Sequence, residues 1–97
     1  MTDDPAEGAE AGRMAGLAAA VRARRTELGL RQAEVADLAG CSQRFVHTVE
    51  HGKAGLRMDK VLDVLGVLGL ELRIGPGRGR IVTETWPTAD DPLREGE

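Results

Sequence analysis

Four side chains in one short stretch, Gln43, Arg44, His47 and Thr48, are of types that can donate to or accept from base edges. Arg offers a two-pronged donor suited to guanine, Gln a donor and acceptor suited to adenine, and a hydroxyl suits several bases. At i, i+1, i+4 and i+5 they share one face of a helix. The same stretch contains His47-Thr48-Val49-Glu50-His51, a literal H-x-x-E-H, which is a metallopeptidase spacing. Its two histidines at i and i+4 face the same way and could hold zinc. A catalytic zinc, however, takes a third protein ligand and a cleft. The chain has two histidines, both in this motif, so neither a metal site nor an enzyme is expected. Ser42 is the sole serine and reads as a helix N-cap, not as a nucleophile. Gly75-Pro76-Gly77-Arg78-Gly79 lacks the Lys-Ser/Thr that completes a phosphate-binding loop and reads as a turn. No cofactor is expected.

The elements that must position these groups are two short helices and a tight turn. The first runs from about Gln32 to Leu38, and Ala39-Gly40-Cys41 is the turn. Ser42 opens the second helix and Gly52 stops it. Val35 and Leu38, like Val46 and Val49, stand three apart, so each helix has a face to bury. Such a pair can place its second helix in the major groove. Residues 13–28 form a preceding helix with Leu17, Val21 and Leu28 inward and Arg22, Arg24 and Arg25 mostly outward, ended by Gly29. Met58 to Leu68 form a following helix, with Met58, Val61, Leu62, Leu65 and Leu68 as its core stripe. Leu70-Glu71-Leu72-Arg73-Ile74 then alternates as a strand with Leu70, Leu72 and Ile74 on the buried face. A lone strand leaves its backbone groups unpaired. Its partner is either the same strand of a second chain or Ile81 to Trp86 folded back over the turn.

Gln32-Ala33-Glu34-Val35-Ala36, Gly40-Cys41-Ser42, Val46 and Glu50-His51-Gly52 together resemble the Xre-type helix-turn-helix of phage repressors and bacterial regulators. The continuation MDKVLDVLGVLGLELRI is similar to the HipB class of antitoxins, in which a fourth core helix leads into a short strand. The resemblance implies an all-α, lambda-repressor-like bundle of four to five helices with a short C-terminal β-strand. It also implies a homodimer joined through Leu70, Leu72 and Ile74. In this family the Gln at the position of Gln32 bonds the DNA backbone, and the loop Lys53 to Arg57 follows a phosphate strand. Arg31, Gln32, Ser42, Lys53 and Arg57 are therefore the expected phosphate contacts, and Gln43, Arg44, His47 and Thr48 the base contacts. Arg31 departs from the family, which often has Ser or Thr here. A guanidinium cannot cap, a loss of about 1 kcal/mol, but it can bind phosphate. Glu50 is expected to bond or ion-pair within the fold. Cys41 stands where the family has an apolar residue and reads as a structural thiol.

The net charge of −3 conceals a basic centre. Residues 13–80 hold twelve Lys/Arg against seven Asp/Glu, whereas 1–12 hold four acids and no base, and 81–97 five acids and Arg94. A basic patch is the electrostatic footprint of nucleic-acid binding. Residues 1–12 read as a disordered acidic tail and 13–75 as the DNA-binding domain with its dimerisation strand. Residues 76–97 read as a flexible tail, with a second short strand at 80–86 as one option. The single cysteine excludes an intrachain disulfide and suits the cytoplasm. The longest apolar run, Val64 to Leu70, is too short for a membrane span. The expectation is a cytoplasmic repressor dimer on double-stranded operator DNA. The HipB resemblance implies an antitoxin with a HipA-like kinase toxin as partner. The alternative is a free-standing regulator of the Xre type without a toxin.

Overall fold

The computed structural model describes residues 5–84, with side chains from residue 12 onward. It contains four helices: α1 (Pro5–Glu27), α2 (Gln32–Ala39), α3 (Gln43–Glu50) and α4 (Met58–Val67). The sequence placed the start of α1 at residue 13. The observed start moves back into the stretch read as tail. Proline is tolerated in a first helical turn, and the alanines that follow favour helix.

Local chemistry explains the boundaries of α2 and α3. Arg31 precedes α2 with an extended backbone and no lone pair to offer. Glu34 compensates by accepting the backbone N–H of Arg31 at 2.8 Å, the reverse half of a capping box. Gly40 ends α2 at φ 72°, a left-handed conformation that costs a side-chain-bearing residue energy. The turn is closed by the N–H of Cys41 on the carbonyl of Ala36, 3.0 Å. Ser42 caps α3 as expected, its Oγ accepting the N–H of Phe45 at 3.0 Å.

Helix α2 packs on α3 and α4, and α1 on α3. The core comprises Leu17, Val21, Val35, Ala36, Val46, Val49, Val61, Val64, Leu65 and Leu68. Of the residues expected to pack the helical core, Leu28, Leu38, Met58 and Leu62 are exposed. In α4 the apolar residues cover more than one face, and packing selects Val61, Val64, Leu65 and Leu68 at i, i+3, i+4 and i+7. Met58 and Leu62 flank that stripe. In α2 the buried face is Val35 and Ala36, which leaves Leu38 67% exposed. Leu28 lies beyond the last turn of α1.

No strand occurs among the described residues, so the expected strand at Leu70 to Ile74 is not formed there. Leu70 packs on the core, but Leu72 is 42% and Ile74 99% exposed. Among the described residues, no helix or strand covers the expected buried face at Leu72 and Ile74. Among the described residues the alternative hairpin makes no backbone ladder. The returning segment instead crosses α1 by side chains. Ile81 joins the edge of the core, and a Cβ at Gly16 would stand 3.4 Å from Ile81 and 3.6 Å from Thr83. Trp86 and the acidic C-terminal stretch lie outside the described residues. Among those described, no helix is long and apolar enough to cross a membrane.

Candidate nucleic-acid interface

Helix α3 divides sharply between two faces. Val46, Val49 and Glu50 are buried, while Gln43, Arg44 and His47 are exposed and Thr48 is half-buried. The structure thus brings the four expected base-reading side chains together on one helix. Gln43 and Arg44 make no side-chain hydrogen bond or ion pair among the described residues, so their donors face solvent. Thr48 donates its hydroxyl to the carbonyl of Arg44, 2.8 Å away. Its outward chemistry is therefore a methyl group and acceptor lone pairs.

The inner anchor of α3 is Glu50, only 3% exposed. Arg25 of α1 donates to both its carboxylate oxygens, Nη2 reaching Oε1 at 2.9 Å. Gln32 donates from Nε2 to Oε1 at 3.1 Å. Arg22 lies 3.8 Å from Oε1 and donates to the Glu50 carbonyl at 3.1 Å. Burial alone would raise the Glu50 pKa, but these hydrogen bonds and charges outweigh it and hold the carboxyl below its ordinary value. The hydrogen bond that Arg25 donates to Glu50 likewise raises the Arg25 pKa. The intramolecular role expected for Glu50 holds. The outward orientation expected for Arg22, Arg24 and Arg25 holds only for Arg22, which stays exposed, whereas Arg24 and Arg25 are drawn in to distant acceptors and half-buried. Arg24 donates to the Leu68 carbonyl at 2.8 Å, joining α1 to the end of α4.

The expected phosphate contacts fall into two groups. Gln32 is half-buried with one amide proton engaged by Glu50, which leaves its second N–H. Ser42 Oγ is occupied as an acceptor by the cap. Arg31 pairs loosely with Glu34 at 3.5 Å and remains exposed. Arg57 is held by Asp59 at 2.7 Å, and this hydrogen bond depresses the Asp59 pKa. Lys53 is exposed and makes no ion pair among the described residues. Cys41 rests against the core, and burial pushes its thiol pKa up, so it stays protonated as a structural group.

Sequence reasoning missed a second cationic cluster. Arg13, Arg73, Arg78 and Arg80 border a cleft of about 470 Å³ between α1 and the glycine-rich turn. The alternation of Arg and Gly at Arg78-Gly79-Arg80 was its only sequence signal, and nothing there pointed to Arg13.

The chain matches a family described as helix-turn-helix domain over residues 16–73. It is also similar to an uncharacterized HTH-type transcriptional regulator, y4mF, of Sinorhizobium fredii (strain NBRC 101917 / NGR234). The two are 43% identical over 67 residues, spanning 68% of this chain and 88% of that protein.

Proposed function

This chain belongs to the helix-turn-helix domain family, and from that premise we propose that it is a sequence-specific DNA-binding transcriptional repressor. The supporting observation is the outer face of α3, where Gln43, Arg44, His47 and Thr48 stand together while Glu50 anchors the inner face. Gln43 and Arg44, at the N-terminal end of α3, read bases in the major groove, with His47 and Thr48 beside them. Arg31, Gln32, Ser42, Lys53 and Arg57 set the register on phosphates, Ser42 through its backbone at the start of α3. Selection from a pool of random duplexes tests this reading. The full chain is expected to enrich one motif repeated with two-fold symmetry, its half-sites about 34 Å apart or a multiple of that. Recovery of unenriched DNA would reduce the chain to a non-specific binder, and recovery of none would remove the function.

The two-fold symmetry rests on a homodimer joined through Leu70, Leu72 and Ile74. Its support is the uncovered apolar side chains of Leu72 and Ile74 on an alternating segment that lacks a ladder partner among the described residues. Leu72→Pro removes a ladder donor and an apolar side chain together. At micromolar concentration the parent is expected to sediment as a dimer and the variant as a monomer. A surviving dimer would move the interface to the exposed helix residues Leu38, Met58 and Leu62.

Within this reading, the resemblance of residues 58–74 to the HipB class supports an antitoxin role with a HipA-like kinase toxin as partner. The free-standing regulator differs from it in one observable. The product of the neighbouring reading frame binds an antitoxin dimer, and no such product binds the free-standing form.

A further inference from the structure

The paired histidines at the C-terminal end of α3, His47 within it and His51 as its C-cap, can do more than contact a base. His47 and His51 lie one turn apart, and both are exposed. Their ring centroids are 3.9 Å apart and their planes are inclined by 28°. Nδ1 of His51 is 2.8 Å from the carbonyl oxygen of His47. A carbonyl only accepts, so Nδ1 carries the proton, and the lone pair of the neutral ring is on Nε2. Metal-ligating histidines share this feature: the second ring nitrogen donates to a carbonyl or carboxylate, which fixes the tautomer and the ring orientation. The stack brings the second imidazole alongside on the same face, one helical turn away, and i, i+4 is a spacing at which two histidines can hold one ion. From this geometry we infer that His47 and His51 form a two-imidazole site for a late first-row divalent cation, Ni²⁺, Cu²⁺ or Zn²⁺, on the proposed DNA-facing side of α3.

Imidazole suits these cations. Among the described residues no group of three or more His, Cys, Asp or Glu could hold a metal, and Glu50 is committed to Arg25 and Arg22. Water completes the coordination sphere, so the ion exchanges readily, unlike one in a closed four-ligand structural site. A chelated ion occupies His47 and adds its water shell to the surface that would enter the groove. Metal and operator therefore exclude one another. This exclusion rests on the DNA-binding reading above, whereas chelation does not.

Calorimetric titration of Ni²⁺ into the full chain without DNA is expected to show one ion per chain. His47→Gln and His51→Asn are each expected to abolish it, with circular dichroism confirming that both variants keep their helices. With Ni²⁺ at ten times its own Kd, mass action lowers the apparent operator affinity roughly tenfold for each chain that must shed its ion, about a hundredfold for the dimer, and a chelator restores it. His51→Asn, which lies outside the proposed DNA contacts, should bind operator as the parent does and ignore Ni²⁺. Persistence of Ni²⁺ binding in both variants overturns the site. Binding that both substitutions abolish, but that leaves operator affinity unchanged, overturns the exclusion. A chain that chelates Ni²⁺ through both histidines yet selects no DNA sequence sinks the DNA reading and upholds the metal site.

Discussion

Glu50→Ala is expected to destabilise the fold by about 3–5 kcal/mol, the range for breaking a buried ion pair by removing one partner. The side chain of Glu50 is 1% exposed and that of Arg25 is 18% exposed. Alanine would leave the Arg25 guanidinium and the Gln32 amide without the acceptor they now share. The loss is large against the 5–15 kcal/mol typical of whole domains, so denaturant unfolding should show a much lower midpoint. Replacing Arg25 and Glu50 together by apolar residues of similar volume should recover much of the loss. The pH dependence carries the same signature. Unfolded, Glu50 titrates at the ordinary glutamate value. Burial raises the folded value, but the bonds from Arg25 and Gln32 and the charges of Arg25 and Arg22 together depress it. A depressed folded pKa means the stabilisation is complete above the ordinary value and is lost as pH falls through the folded one. Parent stability should fall with acid in that window, and Glu50→Ala should flatten the fall. A single variant costing under about 1 kcal/mol would place this pair in the weak class of surface ion pairs.

Leu68→Ala is expected to cost about 2–5 kcal/mol, the span for emptying a fully buried leucine site. Leu68 is 0% exposed and sits at the C-cap of α4, and its carbonyl accepts Arg24 of α1. The backbone tie persists in the variant, so the change isolates the packing contribution. In a domain of this size each kcal/mol shifts Tm by about 4–8 °C. Thermal unfolding should therefore drop well beyond the shift produced by Leu62→Ala, which trims an exposed flank of the same helix. Equal shifts would mean that Leu68 does not hold α4 to the core.

The contrast between Leu68 and Leu62 shows where sequence stops being informative. Periodicity located α4 but not its inward side, because apolar residues surround too much of the helix; packing into the shared core selects Val61, Val64, Leu65 and Leu68. Local devices were readable because their cause lies within a few residues. Ser42 caps three residues ahead, and Gly40 supplies the left-handed turn. The outer face of α3 was readable for the same reason: its side chains need only helical spacing and solvent. Arg25 was not, since its acceptor is 25 residues away and an arginine on an amphipathic helix ordinarily reads as surface. The segment from Leu70 to Ile74 shows the opposite failure. Its alternation is plain, but alternation cannot say which chain supplies the covering surface. Cys41, read as structural, does pack on the core.

The most direct test of the central claim, that the outer face of α3 reads sequence, is Arg44→Ala measured against the motif selected by the parent chain. Every single-base change in one half-site is compared, alongside a random duplex at the same salt concentration. The predicted result is a loss of discrimination of about 1–3 kcal/mol at one base pair in each half-site, with binding to random DNA reduced far less. An equal loss on the selected motif and on random DNA would contradict it, making Arg44 a phosphate contact and leaving α3 without its leading base-reading side chain.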